Sequence, residues 1–278
     1  MEKKTSYKLV IFGLTIFGVI SMLSLFIYYM PYFMKTFEVE MAEILFMLFI
    51  FTICLMSLMA VYTFRQWFNQ EEIFISDIPS RFGFFFLFFT FGKAFDLLWY
   101  YVYLELNKVE LLILLKIRFY IIIFMILPII SLSIELILYY LSLKENFNER
   151  LGNRKNREKL GYRITFVITA VEVFVITIIP DTLTLTSLGL PILGFVSLTI
   201  IIWMFYFAYK QDALKNADPL ILTIGFIGLL AVQIIRGVGR LLIGEWANAS
   251  QGIMLYGIIM ETISLIVFIV IFMGFVKK

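Results

Sequence analysis

The chain has 278 residues, 62% of them hydrophobic and 15% charged, with a formal net charge of +3 and a mean hydropathy of +0.97. That composition lies far outside the soluble globular range, so the sequence reads as an integral membrane protein whose first partner is the lipid bilayer and which has no nucleic-acid partner. Histidine is absent and Cys54 is the only cysteine, which removes intrachain disulfides, cysteine- or histidine-based metal sites, haem ligation and His-dependent hydrolysis.

A hydrocarbon core about 30 Å thick takes roughly 20 helical residues to cross. Eight apolar segments are long enough, near 8–30, 40–64, 82–104, 111–142, 163–180, 188–209, 218–243 and 251–275. They are long and uninterrupted, unlike the alternating stretches of about ten residues in a membrane barrel. The expected fold is all-α: a polytopic membrane helix bundle, eight transmembrane helices in a single domain over 1–278.

The first segment follows Lys3, Lys4 and Lys8 in the manner of a secretory signal. It is too long for one, and Tyr28, Tyr29, Met30 and Pro31 follow where a small-residue cleavage site belongs, so it is expected to be a retained helix. The second span carries Cys54. In the third, the helical repeat places Lys93, Asp96, Tyr100 and Tyr103 on one face of a helix otherwise rich in Phe, with Lys93 and Asp96 spaced as an i,i+3 pair.

The fourth span is unusually long and contains Pro128, which is expected to kink it. Ser131 and Glu135 follow on nearly the same face. Lys116 and Arg118 point to different sides, and at least one is expected to snorkel to the outer headgroups. The polar, basic stretch 142–162 (KENFNERLGNRKNREKLG within it) reads as a solvated linker held by anionic lipid, or as a docking surface for a cytoplasmic partner.

In the fifth span Glu172 shares a face with Thr165 and Thr169, and its expected partner is Lys93. The sixth begins with Pro191, Gly189 and Gly194, a composition suited to a broken helix. The seventh puts Gln233, Arg236 and Arg240 on one face, and Gly225, Gly228 and Gly239 on the neighbouring face where another helix can approach closely. In the eighth Glu261 aligns with Met254, Gly257 and Ser264, at a depth that makes Arg236 its expected ion-pair partner. Asn248 to Ser250 form a glycosylation sequon, a triplet that chance often produces.

The basic residues sort by side. Lys3, Lys4, Lys8, Arg65, Arg81, Lys144, Arg150, Arg154, Lys155, Arg157, Lys159, Arg163, Lys210, Lys215, Lys277 and Lys278 fall on one side, and only Lys35 and Lys108 lie in loops of the other. By the positive-inside rule both termini are cytoplasmic, which an even number of spans requires. With no soluble domain expected, output would pass through a separate protein.

Ten charges lie inside apolar stretches: Lys93, Asp96, Lys116, Arg118, Glu135, Glu172, Arg236, Arg240, Glu245 and Glu261. Lys116, Arg118 and Glu245 are expected at the edges and Glu135 toward the cytoplasm. Charge at bilayer depth costs a few kcal/mol even on the gentlest scale (about 2.5–3.5). The candidate site is therefore Lys93, Asp96, Tyr100, Glu172, Arg236, Arg240 and Glu261 in the outer half. These residues form either a ligand site or a set of structural ion pairs. A slight cationic surplus there would favour an anionic ligand.

Phe91 to Tyr101 (FGKAFDLLWYY), a short outer loop, and a long helix ending in Ser133 to Leu138 (SIELIL) resemble the seven-helix sensor domain that precedes many archaeal histidine kinases. The resemblance covers spans two to eight and leaves the first as an addition. It implies detection of a membrane-soluble or extracytoplasmic signal. The family's kinase has no counterpart within these 278 residues.

Three functions compete. One is a receptor-like sensor that binds a small ligand in an outward polar cavity and signals through the kinked fourth span and the 142–162 loop. Another is a secondary transporter or channel using the intramembrane charges as an ion or proton relay. An intramembrane enzyme comes last: it would need a nucleophile and base or an acidic metal cluster, and the sequence has no HExxH motif and no acidic motif of the metal-binding kind. No enzyme activity, cofactor or metal is therefore expected, and the eighth span lacks the lysine that a retinal protein would need.

Overall fold

The computed structural model describes residues 2–103, 105–143, 151–178, 183–212, 214, 217–243 and 250–276, with only the backbone described at 2, 3, 183–193, 237–243, 250 and 251. Among the described residues there are eight helices: α1 (Glu2–Thr36), α2 (Ala42–Phe68), α3 (Ile78–Val102), α4 (Lys108–Ser142), α5 (Arg154–Ile178), α6 (Leu183–Lys210), α7 (Pro219–Ile243) and α8 (Ser250–Val276). The architecture is all-α. Seven helices contain stretches long and apolar enough to cross a membrane, and α6 contributes a shorter apolar segment, Gly194–Lys210.

Every helix but α7 runs past an end of its expected span, and local chemistry as well as hydropathy sets where helices start. Asn107 Oδ1 accepts the backbone N–H groups of Val109 and Glu110 at 3.0 Å and starts α4. Asp218 does the same for Leu220 and Ile221 at 3.1 Å, with Pro219 entering α7 behind it. Both satisfy donors that a helix start leaves open.

The stretch 142–162, expected to be a linker throughout, is helical from Arg154. Asn153 Oδ1 caps Lys155 N at 2.9 Å, Arg154 pairs with Glu158 at 2.9 Å, and Arg157 donates to the carbonyls of Leu151 and Gly152. Lys and Arg are good helix formers, so a basic composition does not oppose a helix. Pro128, the expected kink site, lies inside a continuous α4, and Pro191 inside a continuous α6.

The chain divides into two units, Met1–Met125 with Ile243–Thr262, and Ile126–Leu242 with Ile263–Lys278. In the first, α3 is buried along most of its length, through Phe82, Phe85, Phe86, Phe89, Phe95, Leu98 and Tyr101. Tyr101 ties three helices together. Its ring stacks on Phe33 of α1 at 4.4 Å, its carbonyl accepts from Thr36 at 2.5 Å, and its hydroxyl donates to the Ala42 carbonyl at the start of α2. At the other end Lys4 donates to the carbonyls of Phe68 and Gln70, which supplies α1 with a second anchor.

In the second unit α7 and α8 meet through small residues. A Cβ on Gly225 would lie 2.6 Å from Ile271, one on Gly228 2.9 Å from Val267, and one on Gly274 2.9 Å from the backbone nitrogen of Leu222. Asp218 N–H donates to the Gly274 carbonyl at 2.7 Å, and Phe205 of α6 stacks on Phe226 of α7 at 5.4 Å. Gly239, expected on the same close-packed face, lies outside the described side chains.

The outer surfaces are apolar. On α1 alone Leu9, Phe12, Phe17, Ile20, Leu23, Ile27 and Tyr28 are exposed, as are Phe166, Val171 and Phe174 on α5. Contiguous apolar surface on this scale is foreign to a protein in water and suits a hydrocarbon solvent.

Candidate functional site

A chain of four alternating charges runs through the first unit. Lys93 Nζ lies 2.5 Å from Glu261 Oε2 and 4.0 Å from Asp96 Oδ2, and Asp96 Oδ1 accepts from Arg118 Nε at 2.6 Å. Three helices, α3, α4 and α8, supply the four residues. Burial is deep, with Lys93 3%, Glu261 0%, Asp96 7% and Arg118 9% exposed. At that depth a charge persists only when paired and hydrogen-bonded.

Aromatic faces complete the surroundings. The Lys93 ammonium lies 5.9 Å from the centre of the Phe49 ring on α2, and the Arg118 guanidinium 6.0 Å from that of Trp99. Both distances fall within the range where a ring's quadrupole attracts a cation. Tyr100 is buried beside them, its ring 5.7 Å from that of Phe49 and close enough to α8 that a Cβ on Gly257 would touch it at 3.0 Å. Gly257 and Gly92 therefore let α8 and Met125 of α4 close upon the charged stretch of α3.

One expectation needs correction. Arg118 is not an edge residue that snorkels; it is buried and holds Asp96. Glu172 and Lys93, expected to pair, fall in different units. The described partner of Glu172 is Ser197 of α6, whose hydroxyl donates to Glu172 Oε1 within the second unit. Lys93 is held by Glu261 of α8.

The remaining residues are placed as follows. Lys93 and Asp96 come within ion-pair range as the spacing suggested, although the stronger contact of each is with another helix. Arg236 is half-buried in the second unit and donates from Nη2 to Ser264 Oγ at 2.9 Å. Glu135 is half-buried on α4. Arg240, Glu245, the sequon at 248–250 and residues 144–150 of the basic stretch lie outside the described side chains.

The four charges sum to zero: Lys93 and Arg118 against Asp96 and Glu261. Chemically such a chain can pass a proton or exchange partners. Among the described residues no group of three or more His, Cys, Asp or Glu could hold a metal ion. Compared with protein-family models, curated proteins and solved structures, the sequence and fold match none.

Proposed function

We propose that this protein is a receptor-like membrane sensor module, with eight spans, both termini cytoplasmic, and the Glu261–Lys93–Asp96–Arg118 chain as its switch. One observation carries the reading. A single buried cation, Lys93, is shared unequally between two acids, at 2.5 Å from one and 4.0 Å from the other. Because Arg118 already compensates Asp96, moving Lys93 from Glu261 toward Asp96 leaves only Glu261 without its cation, and uptake of a proton by Glu261 would satisfy that second arrangement. Two discrete packings close in energy are what a ligand needs in order to shift a population.

A small ligand bearing a carboxylate would compete with Glu261 for Lys93 and bias that exchange. The movement would be felt on α3, α4 and α8, and the helical basic start of α5 offers a cytoplasmic partner protein its contact. The resemblance of the Phe91 to Tyr101 stretch to archaeal sensor domains supports the same reading, because that stretch contains both Lys93 and Asp96.

The test uses the purified chain in nanodiscs and in liposomes. Acetate, succinate and glutamate are screened for thermal stabilisation, and at least one is expected to raise Tm in the native protein but not in Lys93→Met. Proton or small-anion flux through proteoliposomes that disappears in Lys93→Met would sink the sensor reading and make the chain of charges a transport relay.

A further inference from the structure

We infer that Glu172, Thr169 and Ser197 in the second unit form a binding site for one small monovalent cation, a proton or a sodium ion. Glu172 is 7% exposed, and among the described residues its one partner is the Ser197 hydroxyl. A hydroxyl orients a carboxylate but cannot cancel its charge, and an isolated ionised carboxylate away from water is among the most costly groups a protein can hold. Something cationic must accompany it.

Among the described residues of α5 and of the facing stretch of α6, no side chain serves. From Ile164 to Ile178, α5 has no charged residue besides Glu172, and the facing stretch of α6, Gly194 to Tyr209, has none at all. The nearest acid of α4, Glu135, lies one turn before Leu138, which packs at Gly161, about 16 Å along α5 from Glu172. Tyr206 and Tyr209 are the titratable groups of the α6 stretch and lie toward its far end.

A second observation points to the same spot. Thr169, one turn before Glu172 on the same helix face, has a buried Oγ1 with no hydrogen-bond partner among the described residues. By contrast Thr165, a turn earlier again, is satisfied by the Gly161 carbonyl at 2.9 Å. A buried hydroxyl left open beside an uncompensated carboxylate is a ligand without its ion. Oxygen donors select hard cations, and a single negative charge matches a single positive one, which disfavours calcium or magnesium.

The site uses none of the residues of the Lys93 chain, so it stands or falls separately from the proposed sensor role. The full chain in nanodiscs is treated with dicyclohexylcarbodiimide, which modifies buried carboxyls that carry a proton, and labelling at Glu172 is read by mass spectrometry. Labelling that rises as pH falls and is slowed by sodium, but not by choline at equal ionic strength, identifies sodium as the occupant in competition with the proton. Acid-enhanced labelling indifferent to sodium identifies the proton alone. Thr169→Val should weaken the sodium protection, and Glu172→Gln, a neutral isostere, should remove both the label and any sodium-dependent rise in Tm. Absence of label at every pH, together with a Tm that sodium does not move, would overturn the proposal.

Discussion

Lys93 and Arg118 show how a membrane protein keeps charge out of contact with lipid. Each reaches an acid on another helix, and each also faces an aromatic ring. Removing one partner leaves the other buried and uncompensated, which typically costs about 3–5 kcal/mol, whereas removing both can be neutral. Lys93→Met alone should therefore destabilise the protein by about that amount, and Lys93→Met combined with Glu261→Met should recover most of it, because Asp96 keeps Arg118. Thermal or denaturant unfolding of Lys93→Met, Glu261→Met and the double variant in detergent measures the cycle; a double loss equal to the sum of the two single losses would mean that the contact contributes no coupling. The Asp96–Arg118 pair was open to geometric reasoning. Arg118 lies deeper from the α3–α4 turn than Asp96 by about 6 Å at a rise of 1.5 Å per residue. Side chains lean toward the N-terminus of their own helix, so on these antiparallel neighbours Arg118 leans back and Asp96 leans in, and the two meet. A helix-by-helix reading stops before that step.

The glycines and caps decide where elements begin and how closely they approach. A Cβ on Gly274 would press at 2.9 Å on the Leu222 backbone nitrogen, which cannot rotate away, whereas Gly13 has nothing within 4 Å. Gly274→Leu should cost about 1–3 kcal/mol or more by overpacking α7 against α8, while Gly13→Ala should be neutral or stabilise by up to about 1 kcal/mol through helix propensity. A comparison of Tm values for the two variants checks this, and equal effects would refute the close approach. At the start of α5, Asn153→Ala should cost about 1 kcal/mol, seen as faster amide exchange confined to 154–158 with little change beyond Arg163. That start was visible in the sequence as an Asn before a run of strong helix formers. Charge and polarity point the other way there, to a linker.

For the molecule as a whole, the distribution of basic residues and the apolar outer faces make the arrangement in the bilayer testable. With Cys54→Ser as background, Lys159→Cys on α5 and Glu105→Cys between α3 and α4 should react with a membrane-impermeant maleimide from opposite sides of sealed vesicles, Lys159→Cys from the cytoplasmic side. Reaction of both from one side would refute the eight-span, termini-inside arrangement. The apolar faces of α1 and α5 also predict that the chain needs detergent or lipid to stay dispersed. Hydropathy alone made this level legible, since solvent acts on every residue at once and its signal accumulates over each span.

The sequence by itself determined that the chain is helical, that its helices are apolar enough for a bilayer, and which side chains are anomalous there. Burial cost is a property of each residue and its neighbours along the helix, so it can be read locally. Only the tertiary structure decided which helix stands beside which charge. It gave Lys93 to Glu261, drew Arg118 inward to Asp96, and set Ser197 against Glu172. An ion pair depends on distances of a few ångströms between segments far apart in the chain, such as Lys93 and Glu261, and those distances are set by helix packing through residues like Gly92 and Gly257 rather than by the charges themselves.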